Sequence, residues 1–439
     1  MLVKGDKKVI RGWVFYDWAN SVYNLVISSA IFPIFYDNIT TEHFLEKNGL
    51  EELPKGMAVT VDFLGWELSS SALLSFVLCA SFIVVSILSP MLSGIADYSG
   101  NKQKFMKIFN YIGAAACVSL YFFSSVPIEV GMLFVFLGSI GYWNSLVFYN
   151  SFLPEIAEPE DHDKISARGF SMGYFGSVIL LVFCLAMIMF VDKSLTKYSF
   201  ILVGIWWIGF SQITYRVIPN NVYNKPKQKN ILTKGFKELG KVFKEFKKTN
   251  RLKKYLISFF FFNTGVQTVM LMAVIFAKKE IDWPKDGGDS GLIIAILLIQ
   301  LVGALGAFLM SRLSGVIGNI KTLIISVVIW IGICCAAMIV HSPTEFYVLA
   351  AVVGLVMGGV QSIGRSTYAK FLPETQDHAS YFSFYDATEK IGIVIGTFTF
   401  GFLEIALGSI RYSVVAIAFF FIIGLVTLFF VPKEETEVI

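Results

Sequence analysis

Charge is scarce in this chain. Asp, Glu, Lys and Arg make up 15% of its 439 residues, against roughly 25% in an ordinary soluble domain, while 55% are hydrophobic and the mean hydropathy is +0.67. A water-exposed globule cannot hide that much apolar side chain, so a soluble fold is excluded. Histidine is scarcer still. His43, His162, His341 and His378 are the four present, all in loops or at the ends of apolar runs and none at metal-ligand spacing. That removes the usual equipment of an intramembrane enzyme and leaves no metal or cofactor to expect. The five cysteines, Cys79, Cys117, Cys184, Cys334 and Cys335, lie inside apolar stretches without a CxxC, so neither a disulfide scaffold nor a zinc site is indicated.

Long apolar runs are what the chain has in abundance. About 20 residues suffice for a helix to cross a hydrocarbon core of roughly 30 Å, and twelve such runs can be counted. They cover 11–36, 67–96, 104–125, 130–153, 168–191 and 197–217, then 254–277, 290–313, 322–341, 345–371, 381–407 and 412–431. This predicts an all-α membrane protein with six transmembrane helices in each half. Lys4, Lys7 and Lys8 before the first run imitate a signal peptide, but Asp17, Asn20 and Asn24 interrupt the run, which also exceeds a signal core of about 7–15 residues. The first span is therefore expected to be retained.

Basic residues collect at Lys4–Arg11, Lys102–Lys107 and Lys225–Lys254, while Asp37, Glu42, Glu46, Glu51 and Glu52 lie on the other side. The excess of Lys and Arg in cytoplasmic loops places both termini in the cytoplasm. Residues 218–253 separate a first bundle (1–217) from a second (254–439) and read as a basic cytoplasmic linker. Within the linker Leu232, Phe236, Leu239, Phe243 and Phe246 form one apolar face among lysines, the pattern of a helix lying on the membrane surface. Anionic lipid, not nucleic acid, is the expected partner of those lysines.

The halves repeat each other. Tyr149-x-x-Phe152-Leu153-Pro154-Glu155 returns as Tyr368-x-x-Phe371-Leu372-Pro373-Glu374. Leu92-Ser93-Gly94 with Gly100-Asn101-Lys102 returns as Leu313-Ser314-Gly315 with Gly318-Asn319-Ile320-Lys321, and Asp161-His162 as Asp377-His378. Three echoes in one order mark a duplication, the signature of transporter folds built from parallel repeats.

Two family resemblances follow. Gly94-Ile95-Ala96-Asp97-Tyr98-Ser99-Gly100-Asn101-Lys102 resembles the major facilitator loop signature, with Ser93 and Tyr98 where that pattern carries glycine and a basic residue. Tyr16-Asp17-Trp18-Ala19-Asn20-Ser21, Phe148-Tyr149-Asn150 with Leu153-Pro154-Glu155, and Gly358-Gly359-x-Gln361-Ser362-x-x-Arg365-Ser366 resemble the "unknown major facilitator" family. That bacterial group is related to fungal vacuolar amino-acid effluxers linked to autophagy. The resemblance implies the major facilitator fold, two six-helix bundles related by a pseudo-twofold axis, in a bacterial inner (plasma) membrane. The loop signature also implies a latch at the cytoplasmic ends of the spans through Asp97, Gly100 and Lys102, and the repeated acids Glu155 and Glu374, with Arg168, are the further candidate gate residues.

Polar residues inside the spans mark the candidate cavity. In the first span Asp17, Asn20, Ser21, Asn24 and Ser28 fall within an arc of roughly 100° at 100° per residue. A charge at mid-membrane costs about 2.5–3.5 kcal/mol on insertion scales, so this stripe faces a water-filled cavity or bonds to neighbouring helices. In the eleventh span Ser383, Asp386 and Lys390 follow one line and Tyr381, Tyr385 and Glu389 the adjacent one. Asp386 and Lys390 form an acid-first i,i+4 pair, which leaves Glu389 as the unpaired acid. Low-dielectric surroundings disfavour a lone carboxylate, so Glu389 or Asp17 is the candidate proton carrier. Asn144, Tyr149, Asn263, Gln267, Gln300, Gln361 and Arg365 complete the set. Arg365 suits a substrate carboxylate, with Gln361 one turn away, and the alternative is an arginine bonded to helix-end carbonyls or to Glu374.

These readings converge on a monomeric secondary transporter that moves a small polar organic solute by alternating access. An amino acid or similar zwitterion is the leading cargo, with proton coupling and efflux as further expectations. A transporter-fold sensor or scaffold, or an intramembrane enzyme, are the competing classes.

Overall fold

The computed structural model describes residues 3–54, 57–223, 225, 231–284, 288–407 and 409–434. Its first helix, α1 (Lys7–Asn48), opens where the Asp6 carboxylate accepts the Lys8 N–H at 2.7 Å and so satisfies a donor that a helix start leaves free. The helix runs on past residue 36, which makes Asp37, Glu42 and Glu46 helical where a loop was expected. Between Tyr23 and Ala30 it loosens into a π-helical stretch, and the Ser29 hydroxyl donates to the Asn24 carbonyl five residues back at 2.9 Å. After it β1 (Thr60–Phe63) and β2 (Trp66–Ser69) pair antiparallel around Leu64 and Gly65, whose φ values of 52° and 82° suit a tight hairpin turn.

Five long helices follow in the first half: α2 (Ser70–Ser99), α3 (Lys102–Ser119), α4 (Ile128–Asn150), α5 (His162–Phe190) and α6 (Tyr198–Val217). The linker carries α7 (Ile231–Phe246). The second half consists of α8 (Asn250–Glu280), α9 (Gly288–Ile317), α10 (Asn319–Ala336), α11 (Pro343–Lys370), α12 (His378–Leu407) and α13 (Ile410–Phe429). Among the described residues eleven of these helices are long and apolar enough to cross a membrane, and α12, with Asp386, Glu389 and Lys390 inside it, is the twelfth long one. Local chemistry sets several ends. Gly100 stops α2 in the left-handed conformation at φ 72°, and α11 opens with Pro343 behind a Ser342–Glu345 capping box.

Helices α1 to α6 pack on one another, as do α8 to α13, and the strongest contacts between these groups are α2 with α12 and α5 with α9 and α11. The second helix of each half thus meets the fifth helix of the other. Apolar side chains gain little from leaving lipid, so close approach depends on small residues. On α5 a Cβ added at Gly169, Gly173 or Gly176 would run into Asp17, Ser21 or Trp18 of α1. On α9 and α11 the same holds where Gly306 and Gly358 meet the facing backbone.

Candidate functional site

Between the halves lies a cavity of about 1290 Å³, including its portion open to solvent. Asp17, Asn20, Ser21, Asn24 and Ser28 of α1 all line it, so the polar stripe keeps one face through the π-helical stretch. Opposite stand Asn263 and Gln267 of α8, Gln300 of α9, Gln361 and Arg365 of α11, and Tyr385 and Glu389 of α12. Tyr142, Trp143 and Tyr174 add aromatic wall, and the Tyr174 hydroxyl donates to Gln361 Oε1 at 2.6 Å, a bridge from α5 to α11.

Arg365 closes one end. Its Nη1 and Nη2 each lie 3.3 Å from Asp17 Oδ2. Nη1 also donates to Asn150 Oδ1 at 3.1 Å, Nη2 to the Ser166 carbonyl at 2.9 Å and Nε to the Ser166 hydroxyl at 2.9 Å. Tyr149 donates to the same Asp17 oxygen at 2.7 Å and stacks on Trp13 with ring centroids 4.5 Å apart. The guanidinium of the second half is therefore seated among α1, α4 and α5 of the first.

A second charged cluster sits on α12. Lys390 Nζ lies 3.3 Å from Asp386 Oδ1 and 3.1 Å from Glu389 Oε2, and 3.4 Å from the centroid of the Trp143 ring. Gln267 Nε2 donates to Glu389 Oε1 at 2.7 Å.

Beyond Arg365, towards the face that carries the N-terminus and α7, the halves are bolted together twice. At the first joint Asp97, ending α2, accepts the N–H groups of Ala379 and Ser380 at 3.2 and 2.7 Å and the Ser380 hydroxyl at 2.8 Å, a carboxylate capping the start of α12. Lys102 pairs with buried Glu155, whose Oε1 also lies 3.1 Å from His378 Nδ1. Asp377, in the loop before α12, has its carboxyl pushed up to about 6 by burial and then by the neighbouring Asp97 and Glu238 carboxylates. At the second joint Asp163 of α5 accepts Ser314 Oγ at 2.8 Å, Asn319 Nδ2 at 2.7 Å and Lys370 Nζ at 2.6 Å.

A polar cavity held between two duplicated halves and closed at one face is the arrangement of a solute carrier, and the comparisons agree. The family described as "Vacuole effluxer Atg22 like" matches residues 5–438. The chain belongs to that family. Among its relatives are the uncharacterized MFS-type transporter YxiO of Bacillus subtilis, 28% identical over 99% of this chain and 97% of that one, and autophagy-related protein 22-1 of Penicillium rubens, 22% identical over 94% and 88%. Of solved structures, a bacterial homologue of the iron transporter ferroportin in an outward-facing state is similar with a TM-score of 0.67 at 13% identity, covering 98% of this chain and 100% of that one. The proton:xylose symporter XylE is similar with a TM-score of 0.68 at 14% identity, covering 98% and 96%. At those identities the likeness speaks to fold, and the fold is that of the major facilitators. The Atg22-like chain is a multi-pass integral membrane transporter, not an enzyme.

Several expected site residues of this Atg22-like chain stand elsewhere. Asn144 faces α2, accepting the Ser89 hydroxyl at 3.0 Å and donating to the Ile140 carbonyl, and does not line the cavity. Asn150, on the same helix, lines it instead. Tyr149, Asp386 and Lys390 stand one layer behind the wall. Glu389 is not unpaired, because Gln267 and Lys390 both meet it, and Arg365 pairs with Asp17 rather than with Glu374. Glu374 and Arg168 are exposed and join neither joint. The phrase around Glu155 is thus repeated in sequence but not in role. Ser166 was missed, and its neighbours Gly169 and Gly173 were the available signal of a helix pressed against another.

The linker helix α7 does not lie free on a membrane. Gly235 packs on Ile95 of α2, Val242 is buried, and the Phe243 and Phe246 rings stand 5.9 and 5.5 Å from Phe384 of α12. Phe236 and Phe243 remain 44% and 46% exposed. The side chain of Leu232 lies outside the described residues.

Proposed function

We propose that this chain exports or exchanges a small zwitterion, an amino acid or close analogue, by alternating access, with both termini in the cytoplasm and the cavity open to the opposite side. The observation that carries the reading is the Asp17–Arg365 pair at the closed end of a polar cavity, one partner from each half. Breaking a buried ion pair leaves a bare charge and is costly. A zwitterion can replace the pair without that cost, its carboxylate taking the Arg365 fork and its ammonium taking Asp17. The tie between the halves would then run through the cargo, which gives cargo a differential hold on the closed and open states. Efflux is the direction suggested by the family description, and the native unit in this reading is a monomer.

Reconstitution in liposomes tests it. Labelled alanine, leucine, lysine, glutamate, a dipeptide and a sugar are offered with and without a pH gradient. Uptake of a zwitterion, reduced at least about tenfold in Arg365→Gln as expected for loss of a charge-assisted bidentate contact, supports the reading. Unchanged uptake in that variant, or uptake of the sugar alone, removes it.

A further inference from the structure

The two charged clusters at the cavity differ in balance. Asp17 and Arg365 neutralise each other. The α12 cluster does not, since two carboxylates, Asp386 and Glu389, face one ammonium, Lys390. Elements packed around it do not supply the missing charge. From α8 comes the amide of Gln267, from α4 the ring of Trp143, and from α2 the hydroxyl of Ser89, while Tyr142 and Tyr385 line the same cavity, and none of these is a cation. The other charged groups lining the cavity are the already matched Asp17 and Arg365.

We infer that the Asp386–Glu389–Lys390 cluster is a binding site for one positive charge, delivered as a proton or as the ammonium group of a cargo molecule. This rests on reading the cavity as the transport site. Burial decides where the charge lands. The Lys390 side chain is 0% exposed and that of Asp386 8%, whereas Glu389 is 16% exposed and lines the cavity, so Glu389 is the point of entry. Asp386 Oδ2 has no hydrogen-bond partner among the described residues, so the buried side of the cluster also has an acceptor to spare. A metal ion fits poorly, because the Lys390 ammonium already stands between the two carboxylates. Charge balance makes the site's occupancy matter. Empty, it leaves a net negative charge in a low-dielectric wall, and one proton or one ammonium removes it. The aromatic rings of Tyr142, Trp143 and Tyr385 offer an organic ammonium a further surface.

Infrared difference spectroscopy on the full chain in liposomes tests this without any flux measurement. On stepping from about pH 8 to about pH 5, a range that spans ordinary and burial-shifted carboxyls, wild-type protein should gain a protonated-carboxyl band larger than that of the Asp386→Asn/Glu389→Gln variant, in which Asp377 and the exposed acids still titrate. This extra band should persist in Asp377→Asn, which removes only the loop carboxyl. If no such band grows, alaninamide, which carries an ammonium and no carboxylate, should shift the ionised-carboxylate band at the higher pH, while propionate should not. Growth of the band assigns the charge to a proton, and the alaninamide shift assigns it to cargo. An extra band that vanishes in Asp377→Asn, or a wild type that shows neither the extra band nor the alaninamide shift, overturns the proposal. Should the double variant not fold, Glu389→Gln alone must weaken whichever signal the wild type shows. If the liposome panel finds no transported amino acid, the zwitterion reading fails while this titration stands on its own result.

Discussion

All the donors of Arg365 are spent on the opposite half: on Asp17, on Asn150 and on both oxygens of Ser166. Asp17→Asn would leave that guanidinium buried and unmatched, at about 3–5 kcal/mol. The expected result is a clear fall in unfolding temperature in detergent, a similar fall for Arg365→Gln, and recovery of most of it in the double variant. Losses that simply add would mean that the pair is not coupled. Asp377 makes a prediction of the opposite kind. Its carboxyl sits at about 6 with the joint closed and would return towards the ordinary value of about 4 on exposure. An acid whose value is raised in one state binds the proton more tightly in that state. Between those two values acidification therefore favours the closed joint, and the gain fades as pH rises through about 6. Asp97 and Glu238 oppose the charged form there, with Lys225 and Lys241 as counterweights. Spin-label distances across α2 and α12 should shorten on average as pH falls from about 7 to about 5, and Asp377→Asn should remove that dependence. A dependence that persists in the variant would assign it to another group.

At the level of elements, the sequence was most legible where membrane physics leaves few choices. A carboxylate in an apolar run demands a partner or water, so Asp17 and the stripe below it could be read from spacing, and all five positions do line the cavity. Helix rotation was not legible. Asn144 and Asn150 lie on one helix, and which of them meets the cavity depends on how α4 turns against α2 and α3, contacts distant in sequence. The same blindness hid Ser166 on α5, which meets Arg365, and left Arg168, expected at the gate, exposed. The second joint was hidden for another reason. At the first joint the acid is on the loop side, Asp97, and the donors start α12. At the second the acid, Asp163, starts α5, and the donors Ser314 and Asn319 lie within the repeated loop phrase. Duplication kept the joint and reversed its polarity, which a search for repeated acids cannot see. The docking of α7 was equally unreadable, because an apolar face does not say whether lipid or protein covers it. Gly235 provides the check. A Cβ there would come within 2.7 to 2.9 Å of Ile95, including its backbone, so Gly235→Leu should lift α7 from α2 and α12. Hydrogen exchange should rise in 231–246 and in the first turn of α12 while the other spans stay protected. Unchanged protection would mean that α7 is not braced against the joint.

For the whole molecule, closure at one face and openness at the other is a statement about which surface water can reach. The two joints built on Asp97 and Asp163 lie beyond Arg365 on the face carrying α7, and the cavity continues the other way past Ser28, Leu271 and Ile393. On the proposed placement of the termini in the cytoplasm the carrier would be outward-open, and thiol chemistry can tell the faces apart. The five native cysteines are first replaced, since Cys335 is exposed. A cysteine at Leu271, 41% exposed, should react from outside intact cells with a membrane-impermeant maleimide. One at Ser93, fully buried next to Gly94 on which α7 packs, should be inert from both sides. Asp97→Asn weakens the cap on α12 by replacing a charge-assisted acceptor with a neutral one, and should make the Ser93→Cys site reactive from the cytoplasmic side alone. As that site opens, labelling at Leu271→Cys should decline, because two halves that rock about a shared cavity cannot be open at both faces. Simultaneous reactivity at both sites would describe a channel, and reactivity of Ser93→Cys from outside would invert the orientation assigned to the chain.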